Sequence, residues 1–262
     1  MKKILAIALA LVLVLACFTG CGAKGKTLAE VKEAGKLVIA TSPDFPPFEN
    51  LENGEVVGIE IDILKLVCQD LGVELVIEQM DFSAVLPGVQ AAKYDVGVSG
   101  ITITEKRQKN MLFTQPYYEA AQVIVVKEGS PITSKADLAG KKVSAQTGTT
   151  AEEYCLEKGY AVSSFEANSD AQLALLNGNV DAWVIDNCTA KEMVELHNSE
   201  DAANPLVILS DIMTTEPYAF AFAFGSEDLV EAVDKSLDKL LADGTIQSIF
   251  DKYEYEYEAP QK

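Results

Sequence analysis

The amino-acid sequence predicts an α/β protein with two α/β lobes, joined by a two-stranded hinge and separated by a ligand cleft. Three observations carry this prediction. Strand-like and helix-like segments alternate in residues 36–98 and again in residues 142–197. Extended apolar segments at 117–127 and 218–224 flank the second series, as two crossings between lobes would. The 262 residues, 48% of them hydrophobic, suffice for two modest domains.

The first series reads strand, helix, strand, helix, strand. We predict its strands at 36–41, 73–78 and 94–98, and its helices at 59–71 and 83–92. The helix at 59–71 follows from apolar residues at helical spacing and from Gly72, which ends it. Such alternation predicts a parallel sheet with helices on its faces.

The second series repeats this order with a different sequence. Its strands are predicted at 142–145, 162–166 and 181–185, and its helices at 149–158, 169–177 and 189–197. Asn168 is a plausible N-cap of the middle helix. Two further helices are predicted at 228–242 and 245–253, followed by an acidic tail at 253–258 that we expect to be solvated.

These elements predict the division of the chain. Residues 36–120 and 218–262 are expected to form the first lobe, and residues 121–217 the second. Residues 1–20 have the charged start and the short apolar run of a signal peptide, too short to cross a bilayer. FTGC, which ends at Cys21, resembles a bacterial lipobox. We therefore expect residues 21–35 to be an acylated cysteine and a tether, with Cys17 as the rival lipidation site and a plain secretory signal as the alternative.

Composition excludes some classes of function. The net charge of −19 argues against nucleic acid, because binding to phosphates depends on cationic side chains. Cys68, Cys155 and Cys188 match no metal motif, and no cofactor is expected. Cys68 is expected to be a small core residue, and a disulfide between Cys155 and Cys188 is left open.

Candidate ligand-binding residues follow the predicted strands, because ligands of open α/β sheets bind beyond the carboxyl ends of strands. Arg107 is the only arginine among 21 basic residues. Its planar guanidinium can donate two parallel hydrogen bonds to a carboxylate, which a lysine cannot do. The alternative is a structural salt bridge. The other candidates are Ser42, Phe45, Phe82, Ser99, Gly100, Thr102, Thr149, Thr150 and Asp186.

Together these residues describe a site for a free α-amino acid. Arg107 and the amides of a helix start at 147–150 would hold a carboxylate. Asp186 would hold an ammonium group, and Phe45 and Phe82 would pack on what lies between. Each residue also has a purely structural interpretation: Phe82 in the core, and the threonines and Asp186 as helix caps.

The stretches KLVIATSPDFPPFE, GIEIDILKLVCQDLG, MDFSAVLPGVQAAKYDVGVSGITITEKR, FTQPYY, DLAGKKVSAQTGTTAEEY and DAWVIDN carry a resemblance to a known family. In this order they resemble the family 3 extracellular solute-binding proteins, the polar amino acid-binding lipoproteins of ABC uptake systems. The resemblance covers about residues 27–257. It implies a periplasmic-binding-protein-like fold, a membrane permease as partner, a lipid anchor on the extracytoplasmic face of the cell membrane, and a monomer.

The resemblance also implies roles for residues. Arg107 would grip the α-carboxylate, Asp186 would take the α-ammonium, and Phe45 and Phe82 would sandwich the side chain. Backbone and hydroxyl groups of Ser99, Gly100 and Thr102, and amides of Thr149 and Thr150, would complete the contacts.

Departures from the family pattern bear on the ligand. Ser42 stands where binders of basic amino acids often have an acid, Phe45 where many have tyrosine, and Ala151 where many have glutamine. They imply a less charged pocket and a neutral polar or modestly apolar ligand such as cystine, glutamine or methionine, with glutamine or cystine preferred. Asp44, next to the pocket, keeps a cationic ligand open.

Two other functions remain as alternatives. The first is an enzyme on the same fold, resembling cyclohexadienyl dehydratases. The second is a receptor module that senses an amino acid without transport. We expect no enzyme, because His197 is the only histidine, lies far along the chain from the motifs, and has no paired nucleophile.

Overall fold

A computed structural model of the chain describes residues 23–260. The predicted signal peptide and the candidate lipidation sites Cys17 and Cys21 lie outside the described residues. Within residues 23–260, no helix combines the length and the hydrophobicity that crossing a bilayer requires.

The first lobe is built on a five-stranded sheet. Its strands are β1 (Lys36–Thr41), β5 (Glu74–Gln79), β6 (Val96–Gly97), β7 (Leu112–Phe113) and β14 (Ala221–Phe222). Their order across the sheet is β5-β1-β6-β14-β7. The pairs β1–β5 and β1–β6 are parallel, as the alternation predicts, whereas β14 is antiparallel to both of its neighbours. A small antiparallel sheet of β2 (Asp44–Phe45), β3 (Glu49–Glu52) and β4 (Glu55–Val57) lies beside it.

Six helices accompany these strands. They are α1 (Leu28–Ala34), α2 (Ile59–Leu71), α3 (Phe82–Gln90), α4 (Glu105–Gln108), α8 (Glu227–Ala242) and α9 (Thr245–Lys252). The predicted bounds of α2 are confirmed. Gly72 ends α2 in the left-handed conformation (φ 74°), which glycine adopts at no steric cost.

The second lobe has a six-stranded sheet. Its strands are β8 (Tyr118–Lys127), β9 (Lys142–Gln146), β10 (Ala161–Phe165), β11 (Ala182–Asp186), β12 (Leu206–Ile208) and β13 (Thr215–Tyr218). Strands β9, β10 and β11 pair in parallel, and β8 runs antiparallel to β11, β12 and β13. The helices are α5 (Thr150–Glu157), α6 (Asn168–Leu176) and α7 (Asn187–Glu200), with a 3-10 turn at Lys135–Leu138.

Strands β8 and β13 carry the chain between the lobes. They pair from Thr215 with Ala121 to Tyr218 with Tyr118, and Tyr218 also bridges to Thr102 of the first lobe. The predicted continuous strand at 218–224 is wrong. The chain leaves β8 at Tyr218 and joins β6 and β7 only at Ala221, so that two short strands in different sheets replace one.

An aromatic cluster packs beneath this crossing. The ring of Phe48 lies 5.0 Å from that of Tyr118 and 5.2 Å from that of Tyr218. The ring of Phe250 stacks on Tyr118 at 5.2 Å. These four side chains are fully buried, so the hinge strands are anchored in the core of the first lobe.

Two segments that were expected to be solvent-exposed pack on the fold. Residues 28–34 of the expected tether form helix α1, which starts with a capping box between Thr27 and Glu30 and buries Val31 in the core. In the acidic tail, Tyr255 is buried and the backbone N–H of Glu119 donates to Glu258 O at 3.0 Å. The alternation of tyrosine and glutamate in this tail is the period-2 pattern of a half-buried extended segment.

Asn168 is the first residue of helix α6, and Ala167 occupies the N-cap position, so the prediction that Asn168 caps this helix is wrong. The three cysteines within residues 23–260 are free and buried. Cys188 packs in the core of the first lobe and Cys155 in that of the second, so no disulfide joins them. Cys68 lies in the first-lobe core as predicted.

We predict that Tyr255→Ala destabilises the protein by about 3 kcal/mol, because it removes a buried ring from a packed interior. Leu156→Ala is the matched control, since Leu156 is 58% exposed and its loss should cost less than about 0.5 kcal/mol. Urea unfolding followed by circular dichroism measures both. Equal midpoints for the two variants would mean that the tail is not part of the fold.

Candidate functional site

One cavity lies between the lobes and takes its lining from both. It encloses about 430 Å³ of space, part of it open to solvent. The lining residues are Phe45, Phe82, Ser99, Gly100, Thr102, Arg107, Gln146, Thr149, Thr150, Ala151, Asn168, Val184, Ile185 and Asp186. The structure therefore brings together every predicted ligand-binding residue except Ser42. That these residues bind a ligand stays a prediction.

Arg107 lies in the short helix α4 and is only 8% exposed. Its Nη1 donates to the carbonyl oxygen of Thr102 at 3.0 Å, and its Nη2 donates to that of Gly148 in the other lobe at 3.3 Å. The guanidinium carbon lies 5.9 Å from the centre of the Phe82 ring. No carboxylate of residues 23–260 forms an ion pair with it, so the salt-bridge interpretation of Arg107 is not supported.

The burial of Arg107 is electrostatically costly. Desolvation lowers the pKa of its guanidinium, and the more distant carboxylates of Glu153, Glu216 and Asp186 offset this in part. A guanidinium has five N–H donors, and two carbonyl oxygens engage only two of them. Donors therefore remain for an anionic group in the cavity.

The start of helix α5 adds further donors. Thr149 caps this helix: its hydroxyl accepts from the N–H of Glu152 at 3.2 Å and donates to Gln146 O at 2.7 Å. The backbone N–H groups of Thr150 and Ala151, which both line the cavity, donate to no residue that the structure describes. Free amides at a helix start favour a carboxylate.

The hydroxyl of Thr150 is already engaged within the protein. It donates to Glu216 Oε2 at 2.9 Å and accepts from Gln122 Nε2 at 2.8 Å. Thr149 and Thr150 thus have their side chains committed to the local structure. The backbone N–H of Thr149 also donates to Gln146 O at 3.4 Å, so of the two amides that the family resemblance implies, that of Thr150 is left for a ligand.

Asp186 ends strand β11 and is buried. It stands at the N-cap position of α7, but its side chain makes no capping hydrogen bond there. Its Oδ2 instead accepts a hydrogen bond of 2.5 Å from the hydroxyl of Tyr218. Burial, followed by the nearby Glu216, raises the pKa of Asp186 to about 7, although Tyr218 and Arg107 act in the opposite direction. A cationic group in the cavity would relieve this cost.

The hydroxyl of Ser99 and the N–H of Gly100, in the segment before Arg107, bond to the protein interior rather than facing a ligand. Ser99 Oγ accepts from the backbone N–H of Ser42 at 3.2 Å and donates to Glu49 Oε1 at 2.8 Å. The backbone N–H of Gly100 donates to Glu60 Oε2 at 3.0 Å. The Ser99 hydroxyl and the Gly100 N–H thus point away from the cavity. We therefore expect Ser99 and Gly100 to contact a ligand through their backbone carbonyl oxygens. Ser42 lies behind the lining rather than in it.

Phe45 and Phe82 form the aromatic part of the lining. Gly100 has a φ of 54°, and a Cβ atom there would lie 2.5 Å from Cε1 of Phe45. Only glycine therefore lets the Phe45 ring lie against this turn. Phe82 also packs on the apolar cluster around Val85 and Met111, so its core role and its lining role coexist.

Sequence reasoning missed an amide pair in the second lobe. Asn168 Nδ2 donates to Gln146 Oε1 at 3.1 Å and to the carbonyl oxygen of Asp44, in the first lobe, at 3.2 Å. The carboxylate of Asp44 accepts from the backbone N–H of Asn168. Burial raises the pKa of Asp44, although hydrogen bonds from Asn168 and Ser169 offset this. The position of Asn168 directly after a strand could have indicated a place at the cleft.

The lobes also touch at the rim of the cavity. Ser83 Oγ donates to Glu166 Oε2 at 2.6 Å, and Lys106 Nζ lies 2.7 Å from Glu153 Oε1. The half-buried His197 lies outside the lining and shares a hydrogen bond with Asn204 O at 3.0 Å. Across residues 23–260, no cluster of three or more His, Cys, Asp or Glu side chains could hold a metal ion.

Two α/β lobes that close on a cavity with cationic and anionic ends define the class of periplasmic-type binding proteins. The model of the bacterial extracellular solute-binding proteins, family 3, matches residues 37–256, and the chain belongs to this family.

Three relatives illustrate the match. The glutamine-binding protein GlnH of an ABC transporter from Bacillus subtilis (strain 168) is 32% identical over 275 residues, covering 97% of each chain. The ABC transporter arginine-binding protein 1 from Escherichia coli (strain K12) is 31% identical over 229 residues, 84% of this chain and 91% of its own. A crystal structure of a mutant of ArgBP from T. maritima superposes with a TM-score of 0.81 at 37% identity, covering 87% of this chain and 99% of its own. The two curated relatives are transport binding proteins rather than enzymes.

We predict that Asp186→Asn stabilises the ligand-free protein near neutral pH. The pKa of Asp186 is about 7 in the folded state against 3.8 for an ordinary aspartate, so the fold favours its protonated form. Protonated Asp186 contributes fully to the stability of the folded wild type below about pH 4, and this contribution is lost as the pH rises towards 7. Asparagine does not ionise, so the variant should unfold at a higher temperature than wild type at about pH 8. The difference between the two unfolding temperatures should shrink below about pH 4. A temperature difference that does not depend on pH would contradict the buried-charge account.

Proposed function

We propose that this protein is the substrate-binding component of an ABC amino acid importer, which captures a free α-amino acid by hinge closure and delivers it to a membrane permease. One observation carries the proposal. The guanidinium of Arg107 and the free amides of Thr150 and Ala151 meet the buried carboxylate of Asp186 in one cavity. A molecule with a carboxylate and an ammonium on the same carbon matches this pair of opposite charges.

Closure follows from where these groups lie. Arg107 and the Ser99–Thr102 segment belong to the first lobe, whereas Asp186 and the start of helix α5 belong to the second. A ligand that first binds Arg107 gains its remaining contacts only when the second lobe rotates onto it about β8 and β13. These contacts exist only in the closed form and so shift the equilibrium towards it. The permease then distinguishes closed from open protein.

The lining favours a neutral polar side chain, such as that of glutamine or cystine. Asp186 is the only carboxylate among the described lining residues, and the α-ammonium requires it. Gln146 and Asn168 supply amide groups, while Phe45 and Phe82 supply flat apolar surfaces. A site with polar groups at one end and aromatic walls suits a side chain with a planar polar tip.

Arginine is the second candidate, and a specific contact favours it. The carboxylate of Asp44 lies directly behind Asn168, at the backbone N–H of that residue. The relative from E. coli binds arginine, whereas that from B. subtilis binds glutamine. Titration calorimetry with the twenty amino acids, cystine and ornithine separates the two. Tightest binding by glutamine or cystine would support the neutral pocket, and tightest binding by arginine would support the role of Asp44.

The proposal includes a lipid anchor at Cys21 and a monomeric protein at the extracytoplasmic face of the membrane. Members of the family are extracellular solute-binding proteins. Mass spectrometry of the membrane-extracted protein, with Cys21→Ala as the comparison, tests the anchor.

The two alternative functions predict different results from those of an importer component. A cyclohexadienyl dehydratase would convert prephenate to phenylpyruvate. A sensing module would bind an amino acid without supporting its uptake by vesicles that contain a permease.

We predict that Arg107→Lys weakens amino acid binding by at least about tenfold. Lysine keeps the positive charge but loses the paired N–H donors, and charge-assisted hydrogen bonds to a carboxylate contribute about 1.5–3 kcal/mol. Calorimetry measures the change. Lys109→Ala is the matched control, because Lys109 is an exposed cation just after the same helix and should leave affinity unchanged. Undiminished affinity in Arg107→Lys would exclude Arg107 as the carboxylate contact.

We also predict that affinity falls as the pH drops below about 7. The ligand ammonium binds the ionised form of Asp186, whose pKa is about 7 in the empty site, so binding at lower pH must release a proton. The loss should approach tenfold per pH unit. Calorimetry in two buffers of different ionisation enthalpy detects the released proton at about pH 6. Proton uptake, or an affinity that is constant between about pH 5 and 8, would contradict this assignment.

A further inference from the structure

Two carboxyl groups lie behind the cavity lining, where the site described above makes no use of them. Glu49 is the first residue of β3, and Glu60 lies in the first turn of α2. Both side chains have no exposed surface. Acidic residues are almost never fully buried unless they are paired. Yet within the described part of the chain neither forms an ion pair with a lysine, arginine or histidine.

Glu60 is surrounded by donors. Its Oε1 accepts a short hydrogen bond from the hydroxyl of Tyr117, and its Oε2 accepts from the backbone N–H of Gly100 at 3.0 Å. Two oxygens that both accept hydrogen bonds are the pattern of an ionised carboxylate.

Glu49 has the opposite pattern. Its Oε1 accepts from the hydroxyl of Ser99 at 2.8 Å, whereas no described N–H or hydroxyl donates to its Oε2. Burial, followed by the neighbouring Glu60, raises the pKa of Glu49 well above its ordinary value. A proton on Glu49 satisfies this carboxyl group and can be shared with Glu60.

The surroundings offer no other charge compensation. Glu49 also faces the more distant Asp44, which raises its pKa further. Tyr117 faces both carboxyl groups and the thiol of Cys188, and burial and Glu60 raise the pKa of its hydroxyl well above the ordinary value. All these neighbours are neutral or anionic, so the pair can reach a low energy only by holding a proton.

We propose that Glu49 and Glu60 share one proton and act together as positioning residues, which hold Ser99 and Gly100 in the conformation that presents the backbone of this segment to a ligand. The inference rests on the proposed function for its effect on binding, but the shared proton does not depend on it.

The geometry explains why such a support is needed. Gly100 is in the left-handed region, and the ring of Phe45 lies where its Cβ would be. The N–H of Gly100 and the hydroxyl of Ser99 both turn inward, onto Glu60 and Glu49 respectively. The carbonyl groups of this turn are thereby left for the cavity. Loss of the inward bonds would free the turn to rotate.

A pair of glutamine substitutions tests the proposal, because the two carboxyl groups are assigned different protonation states. Glu49→Gln keeps an oxygen for Ser99 and places an N–H₂ where the carboxyl proton lies. Its amino acid affinity should therefore fall less than that of Glu60→Gln. Glu60→Gln replaces one acceptor with an N–H₂. Turned towards Gly100, this group meets an N–H donor; turned towards Tyr117, it makes that hydroxyl accept and removes the acceptor of the hydroxyl proton. Calorimetry should show a loss of at least about tenfold.

Tyr117→Phe is a second variant in case Glu60→Gln does not fold. It removes one donor to Glu60 without creating a clash, and its affinity should fall by about threefold to tenfold. Equal effects of the two glutamine substitutions on affinity, or wild-type affinity in Glu60→Gln, would overturn the positioning role.

Two ligand-free measurements test the proton itself. The infrared spectrum of wild type at about pH 7 should contain the C=O band of a protonated carboxyl group. Glu49→Gln should weaken this band and leave only the part that Asp186 contributes, because the pKa of Asp186 is about 7. The pKa of Glu49 is raised in the fold, so it contributes a fall of wild-type stability as the pH rises above the ordinary glutamate value. Glu49→Gln should show a smaller fall, which keeps the contribution of Asp186. An unchanged infrared band and an unchanged pH slope would refute the shared proton. A wild type that shows both signals but binds no amino acid would refute the proposed function alone.

Discussion

The burial of the Arg107 guanidinium, with no ion-paired carboxylate among residues 23–260, is the constraint on which the rest of the site depends. A cation removed from water needs either an anion or several oriented acceptors. Here two carbonyl oxygens, those of Thr102 and Gly148, hold its orientation, and neither neutralises it. Because Gly148 belongs to the second lobe, the side chain is fully enclosed only when the lobes are together.

The buried acidic groups around the cavity have the complementary imbalance. Asp186, Glu216, Glu49 and Glu60 are all buried, and the chain as a whole carries a net charge of −19. A hydroxyl group donates to each of these acids, as Tyr218 does to Asp186, and none of them forms an ion pair with a described lysine or arginine. A ligand with both an anionic and a cationic end would relieve both costs at once, and in our proposal this drives closure.

The sequence predicted the elements whose local pattern and tertiary setting agree. Helix α2 has a continuous apolar face and a terminal glycine, and the composition itself marks Arg107 as exceptional. Prediction from the sequence failed where contacts between distant parts of the chain determine the local structure. The interruption at Ala219 and Phe220 arises from a change of sheet, and Asn168 is held by Asp44 from the other lobe rather than acting as a cap. The inward orientation of Ser99 depends on Glu49, 50 residues away, which no local pattern reveals.

The central claim is that Arg107 faces the carboxylate of a free α-amino acid and Asp186 faces its ammonium group. A crystal structure of the wild-type protein with the tightest-binding amino acid of the panel tests this directly. The account predicts the α-carboxylate against the guanidinium of Arg107 and the N–H groups of Thr150 and Ala151, with the α-ammonium on Asp186. A ligand bound in the reverse orientation, or Arg107 paired with a carboxylate of the protein itself, would contradict it.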